Sequence, residues 1–112
     1  MSVLKDLEKY DFHDSLLESI DYDTTKNRLK LSIDFCNWKQ ADYKTGDLET
    51  EMVELIFENV HRAIIPEFVL DSDEIIGFKL LTDNEISIVV FNAVECLTNS
   101  INICAESVIL KR

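Results

Sequence analysis

The stretch Arg28-Leu29-Lys30-Leu31-Ser32-Ile33-Asp34-Phe35-Cys36 carries the clearest structural pattern in the chain. Leu29, Leu31, Ile33 and Phe35 alternate without a break with Arg28, Lys30, Ser32 and Asp34. A strict period of two puts one set on a core face and the other toward water, the pattern of a half-buried strand. Upstream, Ser15 to Asp23 carries Leu17, Ile20 and Tyr22 in a looser strand pattern. Between the two runs, Asp23-Thr24-Thr25-Lys26-Asn27 is polar and suits a hairpin turn, so the two strands are expected as antiparallel neighbours.

Downstream, Asn37 to Thr50 reads as a long loop or widened hairpin around Gly46-Asp47, anchored by Trp38 and Tyr43. Trp38, the single Trp, is expected as a core plug with its indole N–H satisfied. Met52 to Val60 resumes alternation, with Val53, Leu55 and Phe57 inward and Glu54 and Glu58 outward. From His61 to Leu70, the apolar residues Ile64, Ile65, Phe68 and Val69 fit neither period. Pro66 argues against one continuous helix, leaving a helical turn or irregular crossover. Glu74–Leu81 and Ile86–Val94 form a second hairpin, joined by Thr82-Asp83-Asn84-Glu85 and apolar on both faces. Ile101 to Leu110 is a last strand with Ile101, Ile103 and Ala105 inward and a break at Ser107. The first nine residues suit a short helix or a lead-in strand equally.

These six runs, without a long amphipathic helix, predict an all-β (or β-rich α+β) fold. The form is an antiparallel sandwich or partly open barrel of about six strands with one short helical segment. An α+β roll with a helix near one end is the alternative. The 112 residues suit a single β-rich domain over 1–112, and no internal repeat is visible.

Charge narrows the partner classes. The formal net charge is -11, which opposes nucleic acid and anionic membrane surfaces alike. Asp6 and Glu8 interrupt any leader-like apolar run, and no run approaches the ~20 residues that span a bilayer. Three cysteines, Cys36, Cys96 and Cys104, without paired spacing, read as reduced thiols in a cytoplasmic protein. The excess charge is local: Gly46 to Glu74 holds nine acids and only Arg62 as a base. Glu49, Glu51, Glu54, Glu58, Asp71 and Asp73 are therefore the expected contact strip for a basic protein partner, with a solvated, solubilising face as the other reading.

Phe12-His13-Asp14-Ser15 looks like a hydrolytic relay, but neighbours on an extended chain point to opposite faces. His13, Asp14 and Ser15 are read instead as a structural motif that bonds local backbone groups where the first strand begins. His61 lacks metal-ligand spacing, Asp71-Ser72-Asp73-Glu74 lacks the twelve-residue calcium loop, and Asp21 and Asp23 suit an exposed strand end. No catalytic residue, metal or cofactor is expected.

Tyr10-Asp11-Phe12-His13-Asp14-Ser15, the hairpin strand Asn27-Arg28-Leu29-Lys30-Leu31-Ser32-Ile33-Asp34 and the strand end Leu55-Ile56-Phe57-Glu58-Asn59-Val60 carry a family resemblance. Together they resemble small uncharacterised bacterial β-rich proteins with a Phe-His-Asp-Ser element, some of them grouped with immunity proteins of polymorphic toxin systems. The resemblance covers about half the chain. It implies a non-enzymatic protein-binding domain that inhibits a basic, toxin-like partner. Two alternatives stand beside it: a small-molecule-binding or enzymatic β-domain with a pocket near His13, Trp38 and His61, and a self-associating structural domain pairing through an exposed β edge.

Overall fold

A computed structural model describes residues 3–67 and 69–112. The chain forms six antiparallel strands: β1 (Leu16–Asp23), β2 (Arg28–Cys36), β3 (Thr50–Ile64), β4 (Asp73–Thr82), β5 (Glu85–Asn92) and β6 (Leu97–Lys111). They close as a barrel in the order β1-β2-β3-β6-β5-β4. Two 3-10 turns, Leu4–Lys9 and Asn37–Lys39, are the helical segments of the described residues. The fold class is thus all-β, as the alternation predicts, and the barrel form prevails over the sandwich. Among the described residues, no helix is long and apolar enough to cross a membrane.

The core follows from the same alternation. Leu29, Leu31, Ile33 and Phe35 are fully buried, and so are Leu55, Phe57, Ile88 and Ile101. Each such side chain contributes roughly 1.5–3 kcal/mol through removal from water. Leu4 and Leu7 of the first 3-10 turn join this core. That settles the N-terminal stretch as a helical segment, because its two leucines three apart share one face of a 3-10 turn.

The barrel is two three-stranded meanders, β1–β3 and β4–β6, facing each other. Equivalent details recur in both. A bulge interrupts β1 between Leu17 and Ser19, and another interrupts β4 between Ile75 and Gly77. The carbonyl of Asn27, ending the first hairpin turn, accepts the Val60 N–H at 2.8 Å; the carbonyl of Asn84, ending the second, accepts the Ala105 N–H at 2.9 Å. The architecture repeats although the sequence shows no repeat, because different apolar residues satisfy the same inward pattern.

Several expectations change here. β3 runs on to Ile64 rather than stopping at Val60. Asn59 takes a left-handed conformation (φ 52°), which Asn tolerates, and the bulge before Arg62 shifts the register. That slip is why His61 to Ile64 fits neither period. Phe68, part of the crossover reading, lies outside the described residues. β6 is continuous through Ser107, which is buried in the strand. Ala93 and Val94 fall in the turn after β5 rather than inside the strand. Trp38 is no core plug: it is 50% exposed. Phe35 fills the adjacent core position, and the Asn37–Lys39 turn carries the indole outward, with Lys39 Nζ 5.5 Å from its ring.

Candidate functional site

The two meanders meet along two seams, and the β1·β4 seam gathers the polar chemistry. Its register holds only Leu16/Glu74 and Leu17/Asp73. The Phe-His-Asp-Ser element prolongs it: Asp14 N–H donates to Ile75 O at 2.9 Å, and Ile75 N–H donates to Ser15 O at 2.8 Å. Ser15 is fully buried, and its Oγ accepts the Cys36 N–H at 2.9 Å, tying β1 to the end of β2. Phe12 enters the core and stacks on Phe78 with ring centroids 4.2 Å apart.

Asp14 adopts φ 72°, a left-handed turn that Asp accepts better than most residues. This turn swings its carboxylate back onto His13 Nδ1 at 3.0 Å, and Lys39 Nζ lies 3.0 Å from its other oxygen. His13 and Asp14 do meet, contrary to the extended-chain expectation, because the chain here is not extended. Ser15 points into the core and takes no part, so no relay forms.

Glu74 also reaches Asp14. Its hydrogen bond and the Lys39 ammonium hold the Asp14 carboxyl below its ordinary range. The same bond to Asp14, with partial burial, pushes Glu74 upward. Bonding to Asp14 raises Lys39. The arrangement is a carboxyl pair in which Asp14 carries the charge and Glu74 is the readier to hold a proton.

Next to this clasp lies a cavity of about 440 Å³ between the first 3-10 turn and β4. Leu4, Leu7, Phe78, Leu80 and Ile86 give it an apolar floor, and Glu8, Asp11 and His13 stand at its polar side. Asp11 is held in place by Gln40. Gln40 Oε1 accepts the Asp11 N–H at 2.9 Å, and Nε2 donates to the carbonyls of Asp11 (2.7 Å) and Cys36 (2.9 Å). Sequence reasoning missed Gln40, since a lone Gln in a polar loop carries no pattern.

The six residues of the expected strip do not form one surface. Asp73 is 1% exposed: its Oδ1 accepts Asn92 Nδ2 at 3.0 Å and the Asp71 N–H at 3.1 Å. Strand pairing with Leu17 draws it inside, so it offers no contact to a partner. Glu51 shares parity with Val53 and Leu55 and lies on the inner side, bound to Arg112 Nη1 at 2.6 Å and Asn37 Nδ2 at 3.1 Å. Glu54 and Glu58 do face outward, but Lys30 (3.5 Å) and Arg28 (3.0 Å) on β2 already pair with them. Glu49 and Asp71 remain exposed.

The pocket expected near His13, Trp38 and His61 is likewise divided. His13 borders the seam cavity, whose lining includes neither Trp38 nor His61. His61 sits on β3 beside Glu106 at 3.4 Å. Asp23 caps its own turn, accepting the N–H groups of Thr25 and Lys26 at 3.0 and 3.2 Å. Cys36 is buried, Cys104 half-buried and Cys96 exposed, all as free thiols. Among the described residues, no three His, Cys, Asp or Glu side chains converge as metal ligands.

Comparison with protein-family models, curated proteins and solved structures finds no match to this chain.

Proposed function

We propose that this chain is a non-enzymatic protein-binding domain for a basic partner, acting as an immunity-like inhibitor that covers a basic toxin. One observation carries the reading: carboxylates follow one another along the β1·β4 seam. Glu8 and Asp11 border the cavity, Asp14 and Glu74 form the clasp, and Glu18 reaches Ser72 Oγ at 3.0 Å beside exposed Asp71. Lys39 is committed to Asp14. The docking face therefore moves from β3, where cations of β2 neutralise the acids, to the seam. A field of one sign steers an oppositely charged partner and raises its rate of association.

The test begins with capture of the partner from the native host, followed by binding kinetics across a salt series. The association rate should fall as salt rises, since exposed charges are screened over about 8 Å at physiological ionic strength. Reversing Glu18 and Asp71 to Lys should slow association about tenfold, while reversing Glu54 and Glu58 changes it little. A salt-independent association rate, or a seam reversal without effect, overturns the reading. The cavity supports a second reading, a pocket for a small molecule with an apolar body and a cationic group. At about 440 Å³ it lies within the usual span of such sites.

A further inference from the structure

The seam cavity also borders a length of β4 that, among the described residues, has a strand on its β5 side alone. Ile75 spends its backbone groups on Asp14 and Ser15. Register between β1 and β4 does not extend past Glu74. Beyond that point the chain before β1 leaves β4, and the two stay in touch through Phe12 on Phe78 rather than through a ladder. Backbone groups point to alternate sides along a strand. The bulge at Ile76 inserts one residue into that alternation. Phe78 and Leu80 therefore aim their N–H and C=O groups the way Ile75 does, toward the cavity. Both residues also line it. A barrel normally hides its edges; here part of one opens onto an apolar floor.

We infer that this edge accepts a strand from outside: an extended segment of a partner protein that alternates apolar residues with Lys or Arg. It adds to β4 in the cavity between the first 3-10 turn and the strand. The inference rests on the basic-partner reading and gives that partner's docking mode. Backbone hydrogen bonds to Phe78 and Leu80, within the segment Ile76–Leu80 of about 16 Å at ~3.3 Å per residue, supply the register. Apolar side chains reach the floor of Leu4, Leu7 and Ile86, and cationic ones meet Glu8 and Asp11. A second copy of this chain is the wrong occupant on charge: each copy carries -11 and would bring the same acidic rim.

The probe is the synthetic peptide acetyl-(Val-Lys)3-amide, titrated into the isotope-labelled full chain and followed by amide NMR and hydrogen exchange. Two control peptides are used, one with Glu in place of Lys and one with every backbone amide N-methylated. The expected result is saturable binding that slows exchange of the Phe78 and Leu80 amides at least tenfold. Both controls should bind at least tenfold more weakly. The double variant Glu8→Gln/Asp11→Asn keeps the Asp11 side-chain acceptor and should weaken the Val-Lys peptide at least fivefold. No binding, binding without added protection at Phe78 and Leu80, or equal binding of the N-methylated peptide overturns strand addition. So does protection of these amides through dimerisation of the chain alone. Equal affinity for the Glu peptide, with the edge protected, overturns the basic-partner reading instead. A captured basic partner that leaves Phe78 and Leu80 exchanging freely overturns only the edge.

Discussion

The two seams of the barrel close by different means. At β3·β6, nine residue pairs run from Glu54/Lys111 to Ile64/Asn102, and strands of fifteen residues carry them. Phe57 sits in the middle, buried between Leu29 and Val108. At β1·β4, two pairs, the Asp14–Ile75 and Ile75–Ser15 backbone bonds and a cluster of charged side chains do the work. A seam held by a long ladder and packed apolar rows has little left to offer a ligand. A seam held by a clasp exposes carboxylates, a cavity and a strand edge. The proposed docking face thus lies at the join with fewer strand pairs, and binding regions are commonly drawn from the less stable parts of a fold.

The largest effect should come from the strong seam. Phe57→Ala removes a fully buried ring from the centre of β3 and should cost about 3–5 kcal/mol in chemical denaturation. Folding would be lost as a whole, since this side chain touches both meanders. A cost under about 1 kcal/mol would mean that the β3·β6 seam is not the barrel's main join, and the contrast between the seams would fall.

A smaller loss is expected at the clasp. Ser15→Ala deletes the acceptor of the buried Cys36 N–H and should cost about 1–3 kcal/mol. Native-state hydrogen exchange tells the two seams apart. In the variant, amides of Ile75 and Cys36 should exchange through local opening, while those of Leu55 and Phe57 still need global unfolding. If all four speed up by the same factor, the seams open together and the clasp has no independent stability.

How much of this was legible depends on the distance over which residues act. β2 could be read to the residue, Arg28 to Cys36, because its alternation has no interruption. The β3 extension could not, since the left-handed Asn59 and the bulge are tertiary facts that invert the local pattern. The inward place of Glu51 was present in the parity of Val53 and Leu55. The reason a carboxylate is tolerated there, Arg112 at 2.6 Å, comes from the far end of the chain. Charge counting located an acidic middle third but not its neutralisation, because the cations of Glu54 and Glu58 stand on the neighbouring strand. The seam was least visible: Asp14 and Glu74 belong to different meanders, and only barrel closure brings them together. The His-Asp-Ser element was read as bonding its local backbone, yet Ser15 Oγ takes the Cys36 N–H from the end of β2, and the role of Asp14 depends on Lys39 and Glu74.

The smallest expected effect tests the carboxyl pair and has a sign that depends on pH. Glu74 titrates above its ordinary value in the folded chain, chiefly because of Asp14. A raised carboxyl favours the folded state below its unfolded pKa, near 4.5, and that contribution is lost as pH rises through the folded value. Asp14 works the other way: its depressed carboxyl contributes stability above about 3.8, lost as pH falls through the folded value. Glu74→Gln keeps a donor for Asp14 and removes the like charge that neutral pH places beside it. The variant should therefore melt slightly higher than the parent at pH 7. The difference should be small, because solvent reaches both groups and screens them. Near pH 4 the parent's Glu74 is mostly protonated and the gap should close; added salt should narrow it at pH 7. Thermal melts of both proteins from pH 4 to pH 8 read this directly. A variant that melts lower at pH 7, or a gap that persists unchanged to pH 4, would show that the two carboxyls do not meet, and the seam's clasp would reduce to Asp14 and Lys39 alone.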